Sequence, residues 1–223
     1  MLLCAFLPPS TFSYNSYYVH IPFCRQRCKY CDFAIVPVAS ITAPPLIANP
    51  YVADVITEIS KNSRLFPSDA PLRSLYFGGG TPSLLPPHQL IEILNTIKSH
   101  HELARDCEIT IELDPGTFKA TELATLASAG FNRISLGVQS FSSEILKTAG
   151  RSHSVEDVRL AVDTVKREPR IKSWSLDLIS GLPGMSKDDW QGSLMAAVEL
   201  QPPHISCYDL QVKRRTHKKR PRN

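Results

Sequence analysis

What the chain lacks narrows it first. No apolar run approaches the ~20 residues that cross a bilayer, so a soluble globular protein is expected. No Asp, Glu, Lys or Arg precedes Arg25. The apolar, Ser-containing start MLLCAFLPPSTFSYNSYY does not resemble a full secretory signal, and it lacks the arginines of a transit peptide. The cytoplasm fits free thiols, as does the mitochondrial matrix or plastid stroma if this start is a partial targeting segment. No acid occurs in the last eleven residues, KRRTHKKRPRN, which hold seven Lys or Arg. Without those seven charges the formal total falls from +4 to −3. The body is therefore mildly acidic, and the basicity is one dense block of the kind expected to be disordered. A nucleic-acid partner, which would call for a basic face on the folded part, is not expected. Six cysteines do not imply staples either, because 223 residues at 43% hydrophobic content can build an ordinary core.

What is present alternates. Strand-like runs lie at YYVHI (17–21), SLYFGGG (74–80), EITIELD (108–114), RISLGVQS (133–140), SWSLDLISGLP (173–183) and HISCYDLQV (204–212). Between them come helical patterns at 51–63, 87–100, 117–130, 154–168 and 186–200. Pro87 sits in the first turn of the second helix. Thr117 or Thr121 is expected to cap the third, Gly130 to close it, and a Ser or Asp to cap the last. Residues 34–50 read as a Pro-rich loop. Six strands with five intervening helices in strict alternation predict an α/β fold of parallel strands with right-handed crossovers. A barrel-like sheet and an open doubly wound sheet both fit the ~30-residue repeat. The strand count excludes a complete eightfold barrel, and no GxGxxG follows the first strand. Asp114, Gln139 and Asp177 end three strands at the edge where parallel α/β folds bind ligands.

The densest chemistry is HIPFCRQRCKYCDF, which spaces Cys24, Cys28 and Cys31 as C-x3-C-x2-C. Clustered thiolates suit zinc or an iron–sulfur cluster. A structural zinc site wants four protein ligands; His20 is at hand, but no second ligand pair follows. A [4Fe–4S] cluster on three cysteines would leave one iron open to a small molecule. Phe23, Tyr30 and Phe33 would shield such a cluster from water. Three unrelated thiols and a zinc knuckle stay open as alternatives. Cys4, Cys107 and Cys207 have no spacing partners and read as ordinary core or surface residues.

Together with FGGGTPSLL, IELDPGT, NRISLGVQSF, GRSHS, DLISGLPG and HISCYDL, this stretch resembles the radical SAM superfamily. Its nearest branch is the oxygen-independent coproporphyrinogen III oxidase and HemW family. The likeness covers about residues 17–212. It implies a partial (βα)6 TIM-like barrel, with the cluster loop after the first strand and Cys24, Cys28 and Cys31 as iron ligands. It also implies S-adenosylmethionine on the open iron, held near Tyr18, Gly78, Gly79, Gly80, Thr81, Glu112, Gln139, Arg151 and Asp177. Glu112 is implied beside Arg151, which can clamp a carboxylate, while Gln139 and Asp177 suit ribose hydroxyls. Tyr18 and His20 share a strand face, with core packing as their plain alternative.

Two activities live on that scaffold. One is oxidative decarboxylation of coproporphyrinogen propionates to vinyl groups. The other is acceptance and delivery of heme, so heme or a porphyrin is the implied partner. An electron donor such as ferredoxin or flavodoxin is implied as well, and heme-receiving proteins for the chaperone. The oxidases carry a further cysteine two residues after the third, where this chain has Phe33, and a longer N-terminal arm. Both departures favour a HemW-like heme chaperone. The expected layout is an N-terminal extension (1–16), a radical SAM core (17–212) and the basic tail (213–223). The resemblance also implies a further helix and C-terminal domain after the sixth strand. The chain thus reads as a shortened form whose sixth strand lacks its covering helix; an alternative is that such a form binds a cluster and S-adenosylmethionine yet is inactive with heme or porphyrin.

Overall fold

A computed structural model describes residues 14–39, 44–65 and 70–211. The basic tail, Cys4 and nearly all of the N-terminal extension lie outside the described residues. Six parallel strands form one sheet: β1 (Ser16–Ile21), β2 (Leu72–Gly79), β3 (Leu103–Leu113), β4 (Arg133–Gln139), β5 (Ser173–Ser180) and β6 (His204–Asp209). Among the described residues six α-helices accompany them: α1 (Pro45–Leu65), α2 (Pro87–His100), α3 (Ala120–Ala129), α4 (Ser143–Ala149), α5 (Val155–Arg167) and α6 (Lys187–Glu199). The strands lie in the sheet in chain order, each hydrogen-bonded to the next. A doubly wound sheet reverses its strand order at a switch point; this sheet does not. Successive right-handed crossovers in one direction place all helices on one face. The result is an open, barrel-like (βα)6 sheet, because β1 and β6 pair with β2 and β5 but not with each other.

Strand alternation then makes a two-sided sheet. Val19, Ile21, Leu75, Phe77, Ile109, Ile111, Ile134, Leu136, Leu176 and Leu178 are buried in one core with the helices. The intervening residues Tyr18, Tyr76, Glu112, Ser135, Ser175 and Asp177 point the other way. All-parallel sheets are normally apolar on both faces. A polar inner face is instead what a ligand-binding interior needs.

Three local readings differ from the sequence expectation. Helix α1 begins at Pro45, inside the expected loop, and contains Pro50. Pro50 falls in the second turn, where its missing N–H forfeits the bond to the carbonyl of Leu46, a residue 87% exposed. Helix α4 is additional; its seven residues are too few for a periodicity to register. The cap of α3 is Lys119, not Thr117 or Thr121. The Glu122 carboxylate accepts from the Lys119 N–H at 2.8 Å, while the Thr117 hydroxyl is spent on the Asp114 carbonyl at 2.6 Å. Ser154 and Ser186 cap α5 and α6 in reciprocal capping boxes with Asp157 and Asp189.

β6 is one of the two edge strands, and its side chains are half-buried or exposed, with Tyr208 56% exposed. At the opposite end of the sheet from the strand C-termini, the buried His101 takes 2.7 Å and 3.2 Å hydrogen bonds to the Ser63 and Tyr17 hydroxyls. Burial, and then the neighbouring His100, lower its pKa from the ordinary 6.5. The unfolded chain therefore binds a proton that the folded chain resists, so stability is full above pH 6.5 and falls as the pH drops through it. Unfolding free energies from denaturant titrations between pH 7.5 and 5.5 should decline, by at most about 1.4 kcal/mol per pH unit from this group. His101→Gln should flatten that part of the profile.

Candidate functional site

The loop that follows β1 is folded before any ligand is considered. Phe23–Cys24 pairs in parallel with Val36–Pro37, so residues 25–35 form a closed loop. The Val36 and Val38 amides donate to the Pro22 and Cys24 carbonyls, both at 2.8 Å. Arg27 stitches the interior, donating to the Cys31, Phe33 and Ile35 carbonyls at 3.3–3.4 Å. The loop is also tied to the far side of the sheet mouth. The Lys29 amide donates to the Ala149 carbonyl at 3.0 Å. The side chains of Gln26 and Arg25 reach the Gly150 and Gly116 carbonyls at 2.8 and 2.7 Å. Cys24, Cys28 and Cys31 are all half-buried and all line one cavity of about 600 Å³ at the C-terminal ends of the strands.

The second wall of the cavity comes from the end of β2. Gly79 has φ +113°, a backbone that L side chains rarely adopt, and a Cβ there would fall 2.4 Å from the His20 ring. At Gly80 a Cβ would lie 2.7 Å from the Pro22 carbonyl carbon and the Phe23 carbonyl oxygen. The two glycines thus let β2 exit directly against the base of the cysteine loop. The amides of this turn are all engaged: Gly79 N–H with Glu112 Oε2 at 3.1 Å, Gly80 with the Ile21 carbonyl at 2.8 Å and Thr81 with the Phe23 carbonyl at 2.7 Å. What the turn can offer a ligand is therefore carbonyl oxygen, an acceptor suited to an ammonium group. The Thr81 hydroxyl points to the Cys24 sulfur at 3.6 Å.

Two half-buried carboxylates divide the floor. Glu112 accepts from the Tyr76 hydroxyl at 2.7 Å as well as from Gly79. Burial raises its pKa, and these two hydrogen bonds offset only part of the rise. Asp114 binds Arg151 Nη2 and lies 2.8 Å from His153 Nδ1. Burial pushes its carboxyl up, but the Arg151 charge and the His153 hydrogen bond outweigh that and hold it below the usual range. Arg151 also donates to the Gly137 carbonyl at 2.7 Å, the Tyr30 hydroxyl at 3.1 Å and the Cys28 sulfur at 3.7 Å. The Cys24 thiol is pushed up by burial, an effect that the Thr81 hydrogen bond offsets only in part.

Most of the residues expected from the sequence meet here. Gly79, Gly80, Thr81, Glu112, Gln139, Arg151, Asp177 and the three cysteines line the same cavity. Gly78 and Tyr18 do not. Gly78 lies one residue back along β2, packed against Tyr76 and Glu112. Tyr18 is 57% exposed on the inner face of β1, stacked on Tyr76 at 6.0 Å and hydrogen-bonded to His20 at 3.3 Å. His20 is turned to the Ala34 carbonyl at 2.9 Å. The expected Glu112–Arg151 pairing is absent among the described contacts, because the two-residue step to Asp114 brings that carboxylate past the strand end and against the guanidinium. Asp114 was legible as a strand-end acid; His153, buried and bonded to both Asp114 and the Val138 carbonyl, was not singled out. Gln139 reaches the cavity through a bulge, since the β4–β5 register shifts between Leu136 and Gln139 and Gln139 has φ +70°. Asp177 accepts from Ser135 at 2.8 Å.

The donor set can be tested against an iron–sulfur cluster. Three soft thiols share one cavity, and two of them face a hydroxyl or guanidinium donor that would stabilise thiolate. Among the described residues no three His, Cys, Asp or Glu side chains gather around a single ion; a cubane takes its thiolates at separate corners. Arg25 Nε and Arg151 Nε, on residues lining the cavity, are buried with no partner among the described residues. Those orphaned donors suit an anionic ligand, so the residues fit the group.

Known proteins bear on the same residues. The family model described as "Radical SAM superfamily" matches residues 18–196. A protein named heme chaperone HemW from Synechocystis sp. is 44% identical over 201 residues, covering 89% of this chain and 48% of its own. The Escherichia coli HemW is 37% identical over 201 residues, covering 90% and 52%. An oxygen-independent coproporphyrinogen III oxidase from Pseudomonas aeruginosa is 36% identical over 196 residues, covering 87% and 42%. The chain spans about half the length of the curated relatives it matches. Among solved structures, the coproporphyrinogen III oxidase HemN from Escherichia coli, described as a radical SAM enzyme, superposes with a TM-score of 0.79 at 31% identity, covering 88% of this chain and 44% of that one. Methylornithine synthase shares the fold alone, with a TM-score of 0.58 at 12% identity over 87% of this chain and 53% of that one.

Proposed function

This chain belongs to the radical SAM superfamily and is related to HemW heme chaperones and coproporphyrinogen oxidases; from that premise we propose that it is a HemW-like heme-handling protein. Cys24, Cys28 and Cys31 hold a [4Fe–4S] cluster, and the cavity beside it holds S-adenosylmethionine. The observation that carries this reading is the meeting of three thiols, a glycine turn presenting carbonyls, and a buried arginine in one 600 Å³ cavity. When bound at the open iron, S-adenosylmethionine supplies radical chemistry through reductive cleavage of its sulfonium C–S bond. The chain's own residues bind and orient. The Gly79–Gly80 turn would hold its amino group, Arg151 would offset its carboxylate charge, and Gln139 and Asp177 would take its ribose hydroxyls. Glu112 holds Gly79 in register and keeps Tyr76 in place. Tyr18, stacked on Tyr76 outside the cavity, leaves an exposed aromatic face on the inner side of β1.

Phe33 favours the chaperone over the oxidase. It stands where the oxidase pattern has a fourth cysteine, and it lies 67% exposed at the cavity's rim. An exposed aromatic ring there suits an apolar macrocycle better than further metal chemistry. Likeness to the Pseudomonas aeruginosa oxidase keeps the enzymatic reading as the second one. Anaerobic incubation of the reconstituted protein with coproporphyrinogen III, S-adenosylmethionine and a reductant separates them. The chaperone reading expects saturable heme binding by absorbance and no vinyl product. Formation of protoporphyrinogen would refute it.

A further inference from the structure

Arg151 makes more contacts than a ligand clamp needs. Nη1 donates to the Cys28 sulfur and the Tyr30 hydroxyl, and Nη2 donates to Asp114 and the Gly137 carbonyl. Only Nε–H is without a partner among the described residues. A guanidinium with four donors committed is fixed in plane and position, not free to follow a ligand. What fixes it lies behind it. Asp114 reaches Arg151 from the end of β3, and Gly137 reaches it from the interior of β4. His153 is itself fully buried at its side chain and stands 2.8 Å from Asp114 and 3.2 Å from the Val138 carbonyl. Nε2 thus faces the Val138 carbonyl, Nδ1 sits between Asp114 and, at 3.4 Å, Arg151 Nη2, and the imidazole pins the carboxylate as the carboxylate pins the arginine. α4, ending at Ala149, and Gly150 deliver Arg151 to this point, and Lys29 and Gln26 tie the cysteine loop to the same two residues. The thiol loop and the arginine therefore share one anchor.

We propose that Asp114 and His153 are positioning residues that brace Arg151 against the Cys28 sulfur, and that this contact sets the reduction potential of the cluster. The proposal rests on the cluster reading above. Hydrogen bonds to cluster sulfurs stabilise the more negative, reduced state and so raise the potential. The Cys24 sulfur has the Thr81 hydroxyl as donor, the Cys28 sulfur has Arg151, and among the described contacts Cys31 has neither. The Arg151 bond is the charged one and therefore the stronger.

The test is an EPR-monitored redox titration of the anaerobically reconstituted full chain without S-adenosylmethionine. Arg151→Lys keeps the charge, but an ammonium cannot reach Asp114, Gly137 and Cys28 together; its midpoint should fall below that of the unsubstituted protein. Asp114→Asn should also lower the midpoint, although it removes a negative charge. Acting as a bare charge, Asp114 would have the opposite effect on removal, so a raised midpoint overturns the brace. The double variant should fall no further than Arg151→Lys alone, since both break one unit. Where Asp114→Asn fails to fold, Arg151→Lys, which leaves the buried carboxylate in place, carries the test. Unchanged midpoints at full cluster content overturn the brace and leave the cluster reading intact. Failure of the unsubstituted protein to take up iron and sulfide overturns the cluster reading itself, and the brace with it.

Discussion

Cys28→Ser should abolish cluster loading: iron and sulfide after anaerobic reconstitution fall from near four of each per chain to a small residue, and the brown chromophore is lost. A serine hydroxyl has the size of a thiol but not its softness, and iron–sulfur clusters are held by thiolates. Among the described residues no spare thiol lines the cavity: Cys107 is a buried strand residue and Cys207 an exposed one. The loop itself should survive, since its fold depends on the Arg27 carbonyl contacts and the Val36 and Val38 amides and not on any sulfur. Circular dichroism and the unfolding midpoint of the unloaded variant should therefore match those of the unloaded parent. A parallel loss of fold would mean that the thiol is structural.

Gly80→Ala should do the reverse, damaging the fold and the site together. The added methyl would meet the Pro22 carbonyl carbon and the Phe23 oxygen at 2.7 Å, both backbone atoms that have no rotamer to retreat into. Either β2 shifts away from the Phe23–Cys24 strand, breaking the 2.7 Å Thr81 N–H bond to Phe23, or the cysteine loop moves. Overpacking of this kind costs about 1–3 kcal/mol. Because Thr81 and Cys24 move with the break, S-adenosylmethionine affinity in the loaded protein should fall at least tenfold as well. Urea unfolding of the unloaded variant and a binding titration of the loaded one check the two parts. An unaltered urea midpoint would show that the close approach at Gly80 is not tight.

The fold was largely legible because alternation is a strong signal. Leu75 and Phe77, Ile109 and Ile111, Ile134 and Leu136, and Leu176 and Leu178 mark the helix-facing side of four strands. The barrel-like order was not legible from spacing alone, since a doubly wound sheet has the same repeat; the family resemblance decided it and the strand order bears it out. Elements were missed where local rules were overridden. α4 is too short to show a period, and the start of α1 is obscured by Pro44, Pro45 and Pro50, which read as loop until helix geometry accommodates them. In the site, the residue types were right and the pairing was not. Glu112 and Asp114 are two residues apart on one face of β3, so either could meet Arg151. Only the position of the strand end decides that Asp114 does, while Glu112 turns to Tyr76 and Gly79. His153 had no sequence signal beyond its place in GRSHS, because a buried histidine is commonly a core residue. Gln139 was placed by its strand, but the bulge that aims it is a register effect invisible in the sequence.

The account turns on whether three thiols leave one iron open for S-adenosylmethionine. The most direct measurement is the EPR spectrum of the dithionite-reduced, anaerobically reconstituted protein, recorded before and after S-adenosylmethionine is added, with iron and sulfide counted on the same sample. The account predicts near four irons and four sulfides per chain and a reduced-cluster signal whose g-values shift on addition of S-adenosylmethionine. A colourless protein carrying zinc, or a cluster whose spectrum does not respond, would contradict it.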